Sequence, residues 1–397
     1  MDTRLDDACF HGGAFFEAIG EGFDDLSRRE RIINADVLDA WFPPAPGVAS
    51  SLAAHHDWIA RTSPPTSAAG FRAAIAAARR VPEANILPGA GSSALIFLAL
   101  REWLTPESRV LLLDPCYGEY AHVLERVIGC TVDRVPLSEA GGWMPDLDEL
   151  GRRLALGYDL FVLVNPNNPT GRLVPRAAIE RLLRGVDPKT RIWIDEAYLE
   201  YVGPDQTMEP LAFRSANVFV CKSLSKVYAL SGMRVAYLCG PAEEIAQLRR
   251  LTPPWSVSLP AQIAAVRALA DPAYYRARYR ETDTLREELR ELLSLLRGVR
   301  AVTGNANFLL CHLEEHAPTV PTILDGCRRE GVFLRNVASM GRALGPRVFR
   351  TAVKDAVTNA RIVATLARVM HEHLVIPSAA RNLQFETADP SSLRSSG

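Results

Sequence analysis

Short apolar runs alternate with amphipathic stretches through the middle of the chain. Val110–Asp114, Leu160–Val164, Arg191–Asp195, Asn217–Cys221 and Arg234–Leu238 are brief, continuous and rich in β-branched, leucine and aromatic residues. Runs of this kind are expected of strands covered on both faces. Between them the spacing of apolar positions predicts helices over Ser92–Leu104, Tyr117–Val127 and Arg176–Leu183. Strand and helix alternating over this length predict an α/β architecture, with a mostly parallel sheet between helical layers.

The texture changes near Ala261. A long helical segment, Ala273–Leu296, carries Arg and Glu at three- and four-residue spacing. Strands are expected near Asn307–His312, Val332–Asn336 and Val348–Val353, and a last helix over Asn359–Val369. The expected organisation is a segment 1–46 packing on the smaller domain, a large domain 47–260, a smaller α+β domain 261–375, and a disordered tail 376–397. That tail holds Pro, Ser, Ala, Asn and Arg without periodicity.

Composition narrows the function. The chain has 397 residues, with 45 Lys+Arg against 46 Asp+Glu and a formal net charge of -1. A nucleic-acid binder would show a basic excess. The longest apolar run, Ala94–Leu100, falls far short of the ~20 residues of a membrane span. The acidic N-terminus lacks an apolar signal core, and the seven cysteines are dispersed with no C-x-x-C pair. Both features predict a cytoplasmic protein with reduced thiols. No metal site is expected: the histidines of His371-Glu372-His373 stand two apart and do not share a helix face.

Four segments hold the candidate chemistry: Gly89-Ala-Gly-Ser-Ser93, Asn165-Pro-Asn-Asn-Pro-Thr-Gly171, Asp195-Glu-Ala-Tyr198, and Ser223-Leu-Ser-Lys226 followed by Arg234. The first precedes a helix, whose free N–H groups suit a phosphate, although a simple helix cap would read the same. Asp195 ends a buried strand, at the edge where parallel sheets bind ligands; a salt bridge would also explain it. Asn168 follows another strand end and could equally be a turn residue. Lys226 lies just past a strand, where a desolvated amine can form an imine with an aldehyde; most lysines are instead solvated. Together they ask for one ligand with a phosphate, an aldehyde, a basic ring nitrogen and a ring oxygen. Pyridoxal 5′-phosphate has all four.

These motifs, in this order and spacing, resemble the class I/II aminotransferases of the pyridoxal-phosphate fold type I, and most the histidinol-phosphate aminotransferase branch. The likeness runs over about Ile32–Val369. It implies that Lys226 is the imine-forming lysine and proton shuttle, and that Asp195 pairs with the ring nitrogen. It implies that Asn168 and Tyr198 bond the ring oxygen, that Tyr117 stacks on the ring, and that Gly91, Ser92, Ser93, Ser223 and Arg234 hold the phosphate. Arg350 and Arg335 match arginines facing the substrate's anionic groups, and Asn307 matches a position lining the substrate side. A homodimeric transaminase using a small-molecule amino donor and a 2-oxo acid acceptor follows from the likeness. A decarboxylase of the threonine-phosphate type, sharing nearly every motif, is the alternative.

The chain departs from the branch at two places. Arg61-Thr-Ser-Pro-Pro-Thr66 stands where a Tyr-Pro-Asp/Glu segment reaches the partner subunit's phosphate. Leu38-Asp-Ala-Trp-Phe-Pro-Pro-Ala-Pro46 replaces an Asn-Glu-Asn-Pro-x-Gly segment that closes over substrate. The second change points to a different substrate. The phosphate loop also has Ser93-Ala94 where an acidic residue is common.

Overall fold

The computed structural model describes residues 12–371. The expected tail 376–397, Cys9 and the pair Glu372-His373 lie outside the described residues. Among the described residues, thirteen strands form three sheets. They are β1 (Ile33–Asn34), β2 (Ile86–Gly89), β3 (Arg109–Asp114), β4 (Thr131–Pro136), β5 (Leu160–Val164), β6 (Arg191–Asp195), β7 (Val218–Ser223), β8 (Ala236–Cys239), β9 (Val299–Ala301), β10 (Phe308–Leu313), β11 (Val332–Phe333), β12 (Arg335–Asn336) and β13 (Val348–Ala352).

The largest sheet has seven strands in the order β2-β8-β7-β6-β5-β3-β4. Strands β4, β3, β5, β6 and β7 pair in parallel, while β8 runs antiparallel to both neighbours. Successive side chains enter opposite faces. Leu111, Phe161, Ile192, Ile194 and Val220 fill one core, and Leu112, Val162, Trp193, Phe219 and Cys221 fill the other. Two covered faces explain why the central strands read as unbroken apolar runs. The edge strands β2 and β4 have no such signature. Strand β2 contains Pro88 and Gly89, and β4 contains Asp133 and Arg134, residues that a sheet edge tolerates and its centre does not.

Three expected elements come out differently. The helix expected over Tyr117–Val127 divides into a single turn, Gly118–Ala121, and a wider π-helical stretch, His122–Ile128, closed by Gly129 at φ 89°. The strand expected from Arg234 begins at Ala236, because Arg234 takes a left-handed backbone with φ 54°. The run Val332–Asn336 is two strands. Val332 and Phe333 pair in parallel with Ile33 and Asn34, and after Leu334 the chain changes partner to pair with β13.

The second sheet is antiparallel, in the order β12-β13-β10-β9. Its register sets Arg335 directly opposite Arg350. Like charges so placed repel unless an anion lies between them. The helices Pro272–Ser294 and Ala356–His371 pack together beside this sheet. No helix among the described residues is long and apolar enough to cross a membrane.

Behind the carboxyl edge of the large sheet lies a buried ion network. Lys222, 2 % exposed, reaches Glu196 at 2.8 Å and Glu200 at 3.0 Å, and Arg79 meets Glu200 at 2.6 Å. Glu196 lies within the Asp195–Tyr198 turn and Glu200 two residues after it, so the network braces the turn from behind. Removing one partner leaves uncompensated buried charge. Lys222→Met is therefore expected to lower stability by about 3–5 kcal/mol, measured by urea denaturation.

Candidate active site

Strands β3, β5, β6 and β7 all end at one edge of the sheet, and each delivers part of one site. Asp195 is the last residue of β6. Ser223 ends β7 and caps the next turn, Leu224–Val227, its Oγ accepting from Ser225 N at 3.3 Å. That turn carries Lys226. The loop after β5 is held by its own amides: Asn165 Oδ1 accepts from Val174 N at 2.8 Å, and Asn167 Nδ2 donates to the Pro115 carbonyl at 3.1 Å. Gly171, at φ 70°, lies against Gly304; a Cβ there would come within 3.2 Å of the Gly304 Cα. Asn168 is thereby fixed.

A cavity of about 460 Å³ opens at this edge. Ser92, Ser93, Tyr117, Asn168, Asp195, Tyr198, Ser223, Lys226, Arg234, Arg335 and Arg350 all line it. Residues separated by up to 258 positions in the chain therefore meet in one chamber. Asn307 stands apart from this wall. It is fully buried, and its Nδ2 donates to the Leu38 carbonyl at 3.0 Å, so it supports the segment in front of the cavity.

Asp195 is 4 % exposed, and burial pushes its carboxyl up to about 6. Two donors oppose that rise. Tyr120 OH donates to Oδ2 at 2.7 Å, and Ala197 N donates to Oδ1 at 3.0 Å. Trp193 Nε1 in turn donates to the Tyr120 oxygen at 2.7 Å, which aims the tyrosine hydroxyl at the acid. Tyr120 belongs to the Pro115–Tyr120 stretch that holds Tyr117, but nothing in the sequence tells which of its two tyrosines reaches Asp195.

Lys226 is depressed below the usual lysine range. Burial contributes most, Asp39 opposes it, and Arg234 and Arg350 add to the depression. Its Nζ lies 2.9 Å from Asp39 Oδ1. Asn168 Nδ2 donates to Tyr198 OH at 3.4 Å, and its Oδ1 accepts from Arg350 Nη1 at 2.6 Å. Burial raises the Tyr198 phenol, so it stays protonated. Burial also lowers Arg350 to about 10. The anion beside the facing arginines is Asp36, whose carboxylate is 3.6 Å from Arg335 and whose carbonyl accepts from Arg350 Nη2 at 2.9 Å.

At the other end of the cavity, Gly91 at φ 89° precedes the helix Ser92–Trp103, whose first turn has no side-chain cap. A Cβ on Gly91 would meet Arg234 Nη2 at 2.5 Å, so only glycine leaves the guanidinium room beside these N–H groups. Arg234 Nη1 also donates to Ser225 Oγ at 3.3 Å. Ser93 Oγ donates to Glu119 Oε2 at 3.0 Å, and Tyr117 OH donates to the same oxygen at 2.8 Å. An acidic group thus stands beside the loop after all, delivered by a different segment.

This set fits pyridoxal 5′-phosphate. An uncapped helix start with a guanidinium suits the phosphate, a buried acid suits a ring that carries a proton, and a desolvated amine suits an aldehyde. Comparison with known proteins agrees. The fold is that of pyridoxal-phosphate enzymes of fold type I. The Sinorhizobium meliloti histidinol-phosphate aminotransferase, solved in complex with pyridoxal-5′-phosphate, superposes with a TM-score of 0.78 at 21% identity, covering 87% of this chain and 93% of that one. An L-threonine-O-3-phosphate decarboxylase from Porphyromonas gingivalis superposes with a TM-score of 0.75 at 22% identity, covering 86% and 100%. The family model for aminotransferase class I and II matches residues 42–368. A Ralstonia nicotianae protein named histidinol-phosphate aminotransferase 2 is 30% identical over 318 residues, covering 80% of this chain and 83% of its own length. The chain belongs to the class I and II aminotransferases, in the branch of its histidinol-phosphate aminotransferase relatives, and is a pyridoxal-phosphate-dependent aminotransferase.

The raised Asp195 carboxyl has a measurable sign. In the cofactor-free chain the folded state holds this proton more tightly than the unfolded state, where the ordinary value is 3.8. Its contribution to stability is complete below that value and is lost as pH rises through about 6. Denaturation of the cofactor-free wild type and Asp195→Asn across this window is expected to show wild type losing stability relative to the variant. A flat difference would contradict the burial argument.

Proposed function

We propose that this enzyme moves an amino group between a small amino acid or amino phosphate ester and a 2-oxo acid. Histidinol phosphate, for which its curated relatives are named, is the first donor to try. The observation that supports the reading most is that the Lys226 amine and the Asp195 carboxylate share one cavity, with Asn168 and Tyr198 on the same wall.

Pyridoxal 5′-phosphate, when bound, supplies an aldehyde that condenses with amines and a ring that accepts electrons from the neighbouring carbon. In this reading Lys226 would hold the cofactor through its amine and would take and return the proton at the substrate's reacting carbon. Asp195, held by Tyr120 and Ala197 N, keeps a proton on the ring nitrogen. Asn168 and Tyr198 would hold the ring oxygen, and Tyr117 would contact the ring. Gly91, Ser92, Ser93, Ser223 and Arg234 hold the phosphate. Arg350 takes the donor's carboxylate or equivalent anion. Two of its nitrogens are already fixed by Asn168 and Asp36, and its buried Nε has no hydrogen-bond partner among the described residues. Such a fork is oriented before the substrate arrives. Arg335, beside Asp36, faces the distal end of the donor, and Asn307 acts behind the wall. The reading includes domains at 47–260 and 261–375, a homodimer, and a cytoplasmic location.

Borohydride reduction of the pyridoxal-phosphate-loaded chain, followed by peptide mass spectrometry, is expected to place the label on Lys226; a label on another lysine would sink the assignment. In a panel of donors with 2-oxo acids, Arg350→Ala is expected to raise the donor KM by about ten- to a hundredfold. That corresponds to the loss of ~1.5–3 kcal/mol from a charge-assisted hydrogen bond. Carbon dioxide release from O-phosphothreonine without any keto acid product would instead indicate the decarboxylase.

A further inference from the structure

The segment Leu38–Pro46 brings an acid to the Lys226 amine. Asp39 Oδ1 is 2.9 Å from Lys226 Nζ, across 187 positions of sequence. The segment is held firmly. Asn307 bonds the Leu38 carbonyl at 3.0 Å, Trp41 Nε1 donates to Thr282 Oγ1 at 2.8 Å, and Ala45 N donates to Tyr275 OH at 3.0 Å. A second amine meets the backbone of the same residue. Lys354 Nζ is 3.4 Å from the Asp39 carbonyl, and its own backbone is clamped on both sides by the Asn359 amide, at 2.9 and 2.8 Å.

We propose that Asp39 and Lys354 are positioning residues for Lys226: the Asp39 carboxylate is the counter-charge that lets Lys226 accept a proton, and the Lys354 ammonium limits how tightly that proton is held. This inference rests on the role proposed for Lys226. One proton arrives at the Lys226 nitrogen and the same proton leaves, with no other exchange. The chamber makes arrival difficult. Burial disfavours an ammonium, and Arg234 and Arg350 repel it. Asp39 is the acid facing Lys226 that opposes them. Burial pushes the Asp39 carboxyl up, but Lys226, a hydrogen bond from Ser231 and Lys354 together hold it below the usual carboxylate range. Asp39 is therefore ionised when Lys226 needs it. Burial brings Lys354 down to about 8, with Asp39 and Asp355 opposing the shift and Lys226 adding to it. Lys354 is thus charged at neutral pH and loses that charge just above it.

The two side chains act on Lys226 with opposite sign, which a purely structural role would not produce. The test uses the full chain loaded with pyridoxamine 5′-phosphate, in which the Lys226 amine is free. Trace acetylation by acetic anhydride at about pH 7, read by peptide mass spectrometry, reports the neutral fraction of that amine. A charge at this range shifts a neighbour by about 1–3 pKa units. Asp39→Asn is therefore expected to speed Lys226 acetylation about tenfold or more, and Lys354→Met to slow it several-fold. Lys354→Arg, which keeps the charge, is expected to leave the rate within about twofold. The pH titration of the bound cofactor's absorbance in the pyridoxal form is expected to move in opposite directions in Asp39→Asn and Lys354→Met. If Lys354→Met does not fold, Lys354→Gln serves in its place. An unchanged rate in Asp39→Asn, or shifts of the same sign in both variants, overturns the proposal. Borohydride labelling that misses Lys226 would instead overturn the underlying assignment.

Discussion

A carboxylate buried at the end of a parallel strand dominates this architecture. Asp195 is out of water at the carboxyl edge of the sheet, and burial alone would leave it protonated over much of the acidic range. The Tyr120 hydroxyl and the Ala197 N–H draw it back toward the ionised form without neutralising it. What remains is an acid that gains from meeting a cationic partner. A protonated ring nitrogen would answer that need, and Asn168, Tyr198, Ser223 and Lys226 line the same cavity.

The site is built from two sheets that share no strand. The large sheet contributes Asp195, Ser223 and the turn holding Lys226, and the antiparallel sheet contributes Arg335 and Arg350. Asn168 joins them, its oxygen on Arg350 and its nitrogen on Tyr198. One amide therefore couples the Arg350 guanidinium to the Tyr198 phenol. The π-helical stretch after Tyr120 and the left-handed backbone at Arg234 both sit at this cavity. Irregular backbone at these points places a side chain where regular geometry would not.

Charge in the chamber is close to balanced. Arg335 and Arg350 face one another across β12 and β13, with Asp36 against both. Lys226 meets the Asp39 carboxylate and Lys354 its backbone carbonyl. Glu119 receives the hydroxyls of Ser93 and Tyr117. The acid beside the phosphate loop comes from a neighbouring helix turn, and Asp36 and Asp39 bring carboxylates from the N-terminal part of the chain.

The central strands β5 and β6 and the helix Arg176–Leu183 were legible in the sequence to the residue, because two buried faces demand continuous apolar runs and a helix demands its own period. The motif residues were legible because their chemistry is so restrictive: an amide, an acid, a phenol and an amine in that order have few uses together. The edge strands β2 and β4 were not, since Pro88 and Gly89 interrupt the one and the other is only partly buried, so no continuous apolar run remains. Nor were Tyr120, Asp36, Asp39 and Lys354, or the retreat of Asn307 behind the wall. These depend on which side chains approach across hundreds of residues. Local pattern records burial and turn chemistry at each position, whereas pairing energies between distant charges exist only once the sheets have brought them together.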